Sequence, residues 1–263
     1  MPKPTLHSLF EAQRTGKQLT QVHVKRLDEA RALGEAGVDI LMCMHENLKA
    51  FRAACPDTFI ISADGVNLPQ ASTPAQCVAA GFSIMQDGGD AVYSSMGFNC
   101  IEEMARQSIP VIGHCGYIPY RVSWLGRPRA VGKTGAEAAE VYRRVKRYED
   151  AGAVGVEIEI VPARVVEEIA RRTSLLIMSM GAGTAACCQY LFATDVLGTN
   201  TGHVPRHAKV FANLAKEEDR LHQMRVAAFK QLDEEVKSGV YPGAEHTLKI
   251  KDEEFETFLS EID

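Results

Sequence analysis

Short apolar runs alternate with longer stretches of helical spacing along most of the chain, a pattern that predicts a parallel sheet joined by helical crossovers. Eight runs read as strands: LTQVHV (19–24), VDILMCM (38–44), TFIISA (58–63), AVYSS (91–95), PVIGH (110–114), GVEIEIV (155–161), LLIMSM (175–180) and VLGTN (196–200). Between them, apolar periodicity or a start signal predicts helices over 26–36, 73–86, 98–107, 135–152, 163–172 and 184–193. Thr73-Pro74, for example, offers an N-cap followed by proline at the first helical position. Residues 206–236 and 252–262 read as charged helices. Eight strand–helix units within about 200 residues fit a closed barrel better than an open doubly wound sheet. The expected class is therefore α/β, a (β/α)8 TIM barrel forming a single domain over 1–263, with a helical extension from about 206.

Composition narrows the function classes. With 263 residues, 46% hydrophobic and 24% charged, the chain has enough apolar material for one large core, and no Pro/Gly/Ser-rich linker divides it. A net charge of −5 gives no basic field for nucleic acid or an anionic membrane, which leaves small-molecule chemistry or protein partners. No run approaches the roughly 20 apolar residues that cross a bilayer, and the opening MPKPTLHSLFEAQRTGK lacks the apolar core of a secretory signal, so a cytoplasmic protein is expected. Seven cysteines without paired metal spacing read as buried thiols of a reducing compartment.

A barrel gathers its chemistry where strands end and their loops begin. In VEIEIV, alternation sends Val156, Ile158 and Ile160 to one face and Glu157 and Glu159 to the other. Two carboxylates in a barrel lumen need a cation, a donor or a metal, and one held there with a raised pKa is a natural general base. Pairing with a lumen Lys or Arg is the structural alternative. Asp64, after FIISA, is a candidate ligand for a hard cation or a loop cap. His45 and Glu46, ending the second run, are candidate metal ligands or a surface pair; a histidine ligand would favour Zn²⁺, Co²⁺ or Mn²⁺ over Mg²⁺. His114, between glycines, is placed to orient a substrate carboxylate or carbonyl, or is a satisfied structural histidine. Gly181-Ala182-Gly183 reads as a turn opening a helix whose N–H groups could cradle an anion, or simply as a tight turn.

Taken together, TPAQ (73–76), PVIGHCGYIP (110–119), the EIVP of Glu159 to Pro162, GAG (181–183), TGHVPRHAK (201–209) and SGVYPGAEH (238–246) resemble, in order, the ketopantoate hydroxymethyltransferase family of phosphoenolpyruvate mutase/isocitrate lyase-like barrels. The resemblance implies transfer of a hydroxymethyl group from 5,10-methylenetetrahydrofolate to 3-methyl-2-oxobutanoate, in pantothenate biosynthesis. It further implies a divalent metal, usually Mg²⁺, that chelates the 2-oxo acid, and a large homo-oligomer. By resemblance Glu159 is the base at C3, His114 a substrate-side histidine and Asp64 one of two metal aspartates.

The departures are local. The family's Gly-Asp-Ser at the end of the second strand reads Met44-His45-Glu46, so His45 or Glu46 would have to replace a metal aspartate. The fourth strand, with a Lys and a Glu in the family, reads Tyr93-Ser94-Ser95, which makes Tyr93 and Ser95, with Glu157, the expected substrate contacts. The loop and helix after the second strand are also shorter. The competing expectations are a carbon–carbon lyase, aldolase or tautomerase on another 2-oxo acid, and a non-catalytic metabolite-binding paralogue.

Overall fold

The structure, a computed structural model, describes residues 3–63 and 73–262. Eight parallel strands close into a barrel in chain order: β1 (Leu19–His23), β2 (Ile40–Met44), β3 (Phe59–Ala63), β4 (Ala91–Tyr93), β5 (Val111–Gly116), β6 (Gly155–Glu159), β7 (Leu176–Met180) and β8 (Cys188–Phe192). The helices are α1 (Leu6–Thr15), α2 (Leu27–Glu35), α3 (His45–Ala54), α4 (Pro74–Gln86), α5 (Phe98–Arg106), α6 (Val122–Leu125), α7 (Gly135–Asp150), α8 (Ala163–Ala170), α9 (Ala193–Val196), α10 (Leu214–Ser238) and α11 (Asp252–Ile262). The expected barrel class holds.

Two apolar clusters follow from the period-two alternation of the strands. Leu41, Ile60, Val92, Val111, Val156, Ile158 and Ile177 face outward into the layer shared with the helices. Ile40, Met42, Ile61, Tyr93, Ile112, Met178 and Tyr190 fill the lumen. At the N-terminal end of the barrel, α1 adds Leu9 and Ala12 to the lumen cluster. Its Gln13 side chain donates to the Leu175 carbonyl (3.0 Å) and accepts from the Ile177 amide (3.2 Å), so the helix is stitched to β7. Thr73 caps α4 by accepting from the Gln76 amide, with Pro74 at the first helical position.

The eighth strand is a correction. VLGTN (196–200) was the expected strand and 184–193 the expected helix, yet Cys188–Phe192 pairs with both β7 and β1 and closes the barrel. Gly198 sits at φ 66°, a left-handed conformation that a strand cannot use, and the amides of Thr199 and Asn200 fold back on the Thr194 carbonyl. Gly181 and Gly183 also have positive φ and lead into β8 rather than into a helix, so no helix N-terminus stands there to cradle an anion.

The chain divides into two compact units, Met1–Ala212 and Asn213–Asp263. The extension expected from about 206 begins later, because the Phe211 amide still bonds the Val196 carbonyl and Asn213 caps α10. The second unit holds α10 and α11, neither of which has a buried residue. All seven cysteines are free thiols and buried.

Candidate active site

The chemistry gathers on neighbouring strands at the C-terminal mouth of the barrel. β6 alternates as the sequence predicts up to Glu159: Val156 and Ile158 pack outward, and Glu157 and Glu159 turn inward at 3% and 8% exposure. Ile160 leaves the pattern, because the strand ends at Glu159 and Ile160 takes φ 51°. Such a backbone is costly for a β-branched residue and persists only where its surroundings enforce it. Here the Ile160 amide bonds the Met180 carbonyl and its own carbonyl accepts from Val131.

In the register of β5 and β6, His114 lies opposite Glu157, and Gly116 opposite Glu159. The alternation that aims the glutamates inward therefore aims His114 inward as well. Tyr93 arrives from β4, and a chain of hydrogen bonds results. The Tyr93 hydroxyl donates to Glu157 Oε2 (2.5 Å) and lies 2.6 Å from His114 Nδ1, while His114 Nε2 lies 3.1 Å from Glu159 Oε2.

Protonation follows from burial and from this chain. Desolvation lifts the Glu159 carboxyl to about 8 and raises Glu157 as well. Burial lowers His114, which is therefore neutral, and pushes the phenols of Tyr93 and Tyr190 far above their ordinary range, with the Glu157 charge adding to the effect. Because Tyr93 gives its proton to Glu157, its oxygen accepts from His114 Nδ1–H. His114 Nε2 then carries a lone pair, and the neutral Glu159 carboxyl donates to it. The tautomer is assigned by this network.

The frame is tight. Arg144 of α7 donates to the His114 carbonyl (3.3 Å) and stacks over Phe98 and Tyr148. A Cβ on Gly116 would collide with the Glu159 carbonyl, and its φ of 82° suits glycine alone. Beyond Gly116, a cavity of about 720 Å³ lies along α6 and α7, lined by Arg121, Trp124, Val131 and Arg144 among others.

His45 and Glu46 are placed apart from this chain. His45 begins α3 instead of ending β2, and its Nε2 lies 2.9 Å from Asp87 Oδ2, just beyond α4. Glu46, one residue further into that helix, is exposed. The chain has already turned at Met44, so neither side chain follows the inward alternation of β2. Asp64 lies outside the described residues. Ser95 is 1% exposed, and its Oγ has no hydrogen-bond partner among the described residues.

The sequence reading missed His23. At the end of β1 it lies opposite Met42 and Phe192, both on the lumen side, and its ring meets that of Phe192 tilted at 45°, with centroids 4.8 Å apart. A histidine in QVHV reads as an ordinary polar position, and only its place at a strand end on the inward parity would have drawn notice. Among the described residues, His114, Glu157 and Glu159 form a group whose ligand atoms lie within 4.8 Å of one another, a spacing that could hold a metal ion. Two carboxylates with an imidazole suit Mn²⁺, Co²⁺ or Zn²⁺ better than Mg²⁺.

A family profile described as Ketopantoate hydroxymethyltransferase matches residues 41–244. The chain is 33% identical over 208 residues to a 3-methyl-2-oxobutanoate hydroxymethyltransferase of Thermus thermophilus, covering 78% of this chain and 77% of that protein. It is 28% identical over 257 residues to the protein of that name from Kosmotoga olearia, covering 89% and 93%. Among solved structures, it superposes on phosphonopyruvate hydrolase in complex with oxalate and Mg²⁺ with a TM-score of 0.54 at 11% identity, over 92% of this chain and 93% of that one. A 2,3-dimethylmalate lyase of the PEP mutase/isocitrate lyase superfamily gives 0.54 at 14% identity, over 99% and 100%. At those identities the structural likeness is one of fold.

Proposed function

The chain belongs to the ketopantoate hydroxymethyltransferase family, and on that premise we propose that it transfers a hydroxymethyl group from 5,10-methylenetetrahydrofolate to 3-methyl-2-oxobutanoate through an enolate. The observation that carries this reading is the buried Glu159 carboxyl, lifted to about 8 and bonded to a neutral His114 at the mouth of the barrel. A base whose pKa lies near the working pH combines an available lone pair with enough driving force to take a proton beside a carbonyl. Glu159 removes the C3 proton, and His114 orients the carboxyl that holds it. Tyr93 and Glu157 act through His114, fixing its tautomer, and the partnerless Ser95 hydroxyl is left to meet the substrate.

The family reaction also calls for a divalent cation, which when bound stabilises the charge on the enolate oxygen. The described residues at the end of β2 do not fit a hard cation, with His45 bonded to Asp87 and Glu46 exposed. The His114, Glu157 and Glu159 group fits by spacing, but a cation there would occupy the lone pairs that proton removal needs. Asp64 remains a proposed ligand outside the described residues. Room for the folate is offered by the cavity beyond Gly116, where Arg121 supplies a cation for its carboxylates. A cytoplasmic homo-oligomer completes the reading. Among the described residues, no helix is long and apolar enough to cross a membrane.

The test is product formation from 3-methyl-2-oxobutanoate and 5,10-methylenetetrahydrofolate with Mg²⁺, Mn²⁺, Co²⁺ and Zn²⁺ in turn. Turnover with at least one cation is expected, and inertness with all four would overturn the reading. Tyr93 on β4 and Ser95 just after it favour one second reading, in which the same base cleaves or tautomerises another 2-oxo acid. Cleavage or solvent-deuterium exchange across a panel of 2-oxo acids, without folate, separates the two.

A further inference from the structure

Across the mouth from the glutamates, β1 ends in a histidine whose side chain bonds none of the described residues. Both ring nitrogens of His23 are buried without a hydrogen-bond partner among the described residues. A neutral imidazole carries one N–H and one lone pair, and burying either unpaired is unfavourable. Such groups are rare in native proteins and mark functional positions, strain, or places that a water or an ion completes. His23 is held neutral, its pKa pushed down to about 4 by burial and by the Lys25 charge. It faces the lumen, flanked by Met42 and Phe192 in the register of β2 and β8.

We propose that the end of β1 is a carboxylate subsite, in which the His23 ring N–H, aided by the positive field of Lys25, receives the carboxylate of the 2-oxo acid. The surroundings select this ligand class. Met42 and Phe192 offer no hard oxygen for a cation, and the Lys25 charge that depresses the imidazole would repel one. The same charge attracts an anion, and an N–H donor to a carboxylate is stronger than a neutral pair. The inference rests on the proposed substrate class and deepens it. The family's strand-four Lys is absent here, and His23 with Lys25 supplies the positive, donating group from another strand.

Calorimetric titration of the full chain with 3-methyl-2-oxobutanoate, and with 3-methyl-2-butanone, which carries a methyl group in place of the carboxylate, provides the test. His23→Phe keeps the ring contact with Phe192 and removes both nitrogens. It is expected to raise the melting temperature of the free protein, weaken oxo-acid binding by about 10- to 100-fold and narrow the preference for the acid over the ketone. His23→Gln, which restores an N–H, should recover part of the affinity, and Lys25→Met should weaken binding several-fold and flatten its salt dependence. Binding by His23→Phe within twofold of the native chain would overturn the proposal and leave His23 as a packing residue. Native binding without hydroxymethyl transfer would overturn the proposed reaction alone; absence of native binding to any 2-oxo acid would overturn both.

Discussion

Glu157 and Glu159 share one face of one strand, yet their bonds divide the work. Glu157 is tied to the Tyr93 hydroxyl, while among the described residues the Glu159 carboxyl bonds the imidazole alone. Glu159→Gln is expected to lower C3 deuterium exchange by about 10²–10⁴-fold, the usual worth of a general base. The pH profile carries the same signature. The native carboxyl, raised from 4.5 to about 8, must ionise to act, so kcat/KM should climb towards a plateau above pH 8. Stability runs the other way. A carboxyl whose folded pKa is raised contributes stability that is full below pH 4.5 and is lost as pH rises through 8, so the resistance of the native chain to chemical denaturation should weaken across that window while that of Glu159→Gln stays flatter. Equal slopes would remove Glu159 as the titrating group. The inward glutamates and His114 were legible because parity and strand ends are written in the sequence. His23 was not, because lacking a partner is a property of three dimensions. His45 and Glu46 fall outside the inward alternation of β2 because the helix begins one residue after Met44.

At the scale of elements, seven strands followed from their apolar runs, and the eighth did not. In AACCQYLF, helix-tolerant Ala and Gln masked a strand whose Cys188 and Tyr190 fill the lumen, and closure against β1 decided the outcome. α1 was also overlooked, although Thr5 and Ser8 make a reciprocal cap at its start. One contact between elements is directly testable. A Cβ on Gly113 would lie 2.5 Å from the ring of Tyr148, a fully buried residue of α7. Gly113→Ala should therefore cost about 1–3 kcal/mol in denaturant unfolding through overpacking. Because β5 also carries His114, activity should fall beyond what the lost stability explains, and an unchanged KM and kcat would show that α7 does not set the position of His114.

For the whole molecule, the first unit is a filled barrel, whereas the second leaves Met224, Phe229, Val236, Ile250, Phe255 and Ile262 in solvent. Apolar surface on that scale marks an interaction surface, in keeping with the proposed homo-oligomer. Sedimentation of the full chain should give a mass at least twice 28.8 kDa, and Phe229→Glu with Phe255→Glu should shift it downward. A monomer at every concentration would refute the assembly.

The buried thiols of the barrel have a consequence of their own. Cys43 and Cys115 are pushed up to about 12 by burial, and all seven cysteines are buried. A thiol-reactive dye can therefore modify them only when the barrel opens. Labelling of the native chain should be slow and should accelerate with denaturant, with Cys43 and Cys115 on the barrel strands keeping time for the rarest openings. The chain carries its own stopwatch for breathing, readable by mass spectrometry one cysteine at a time.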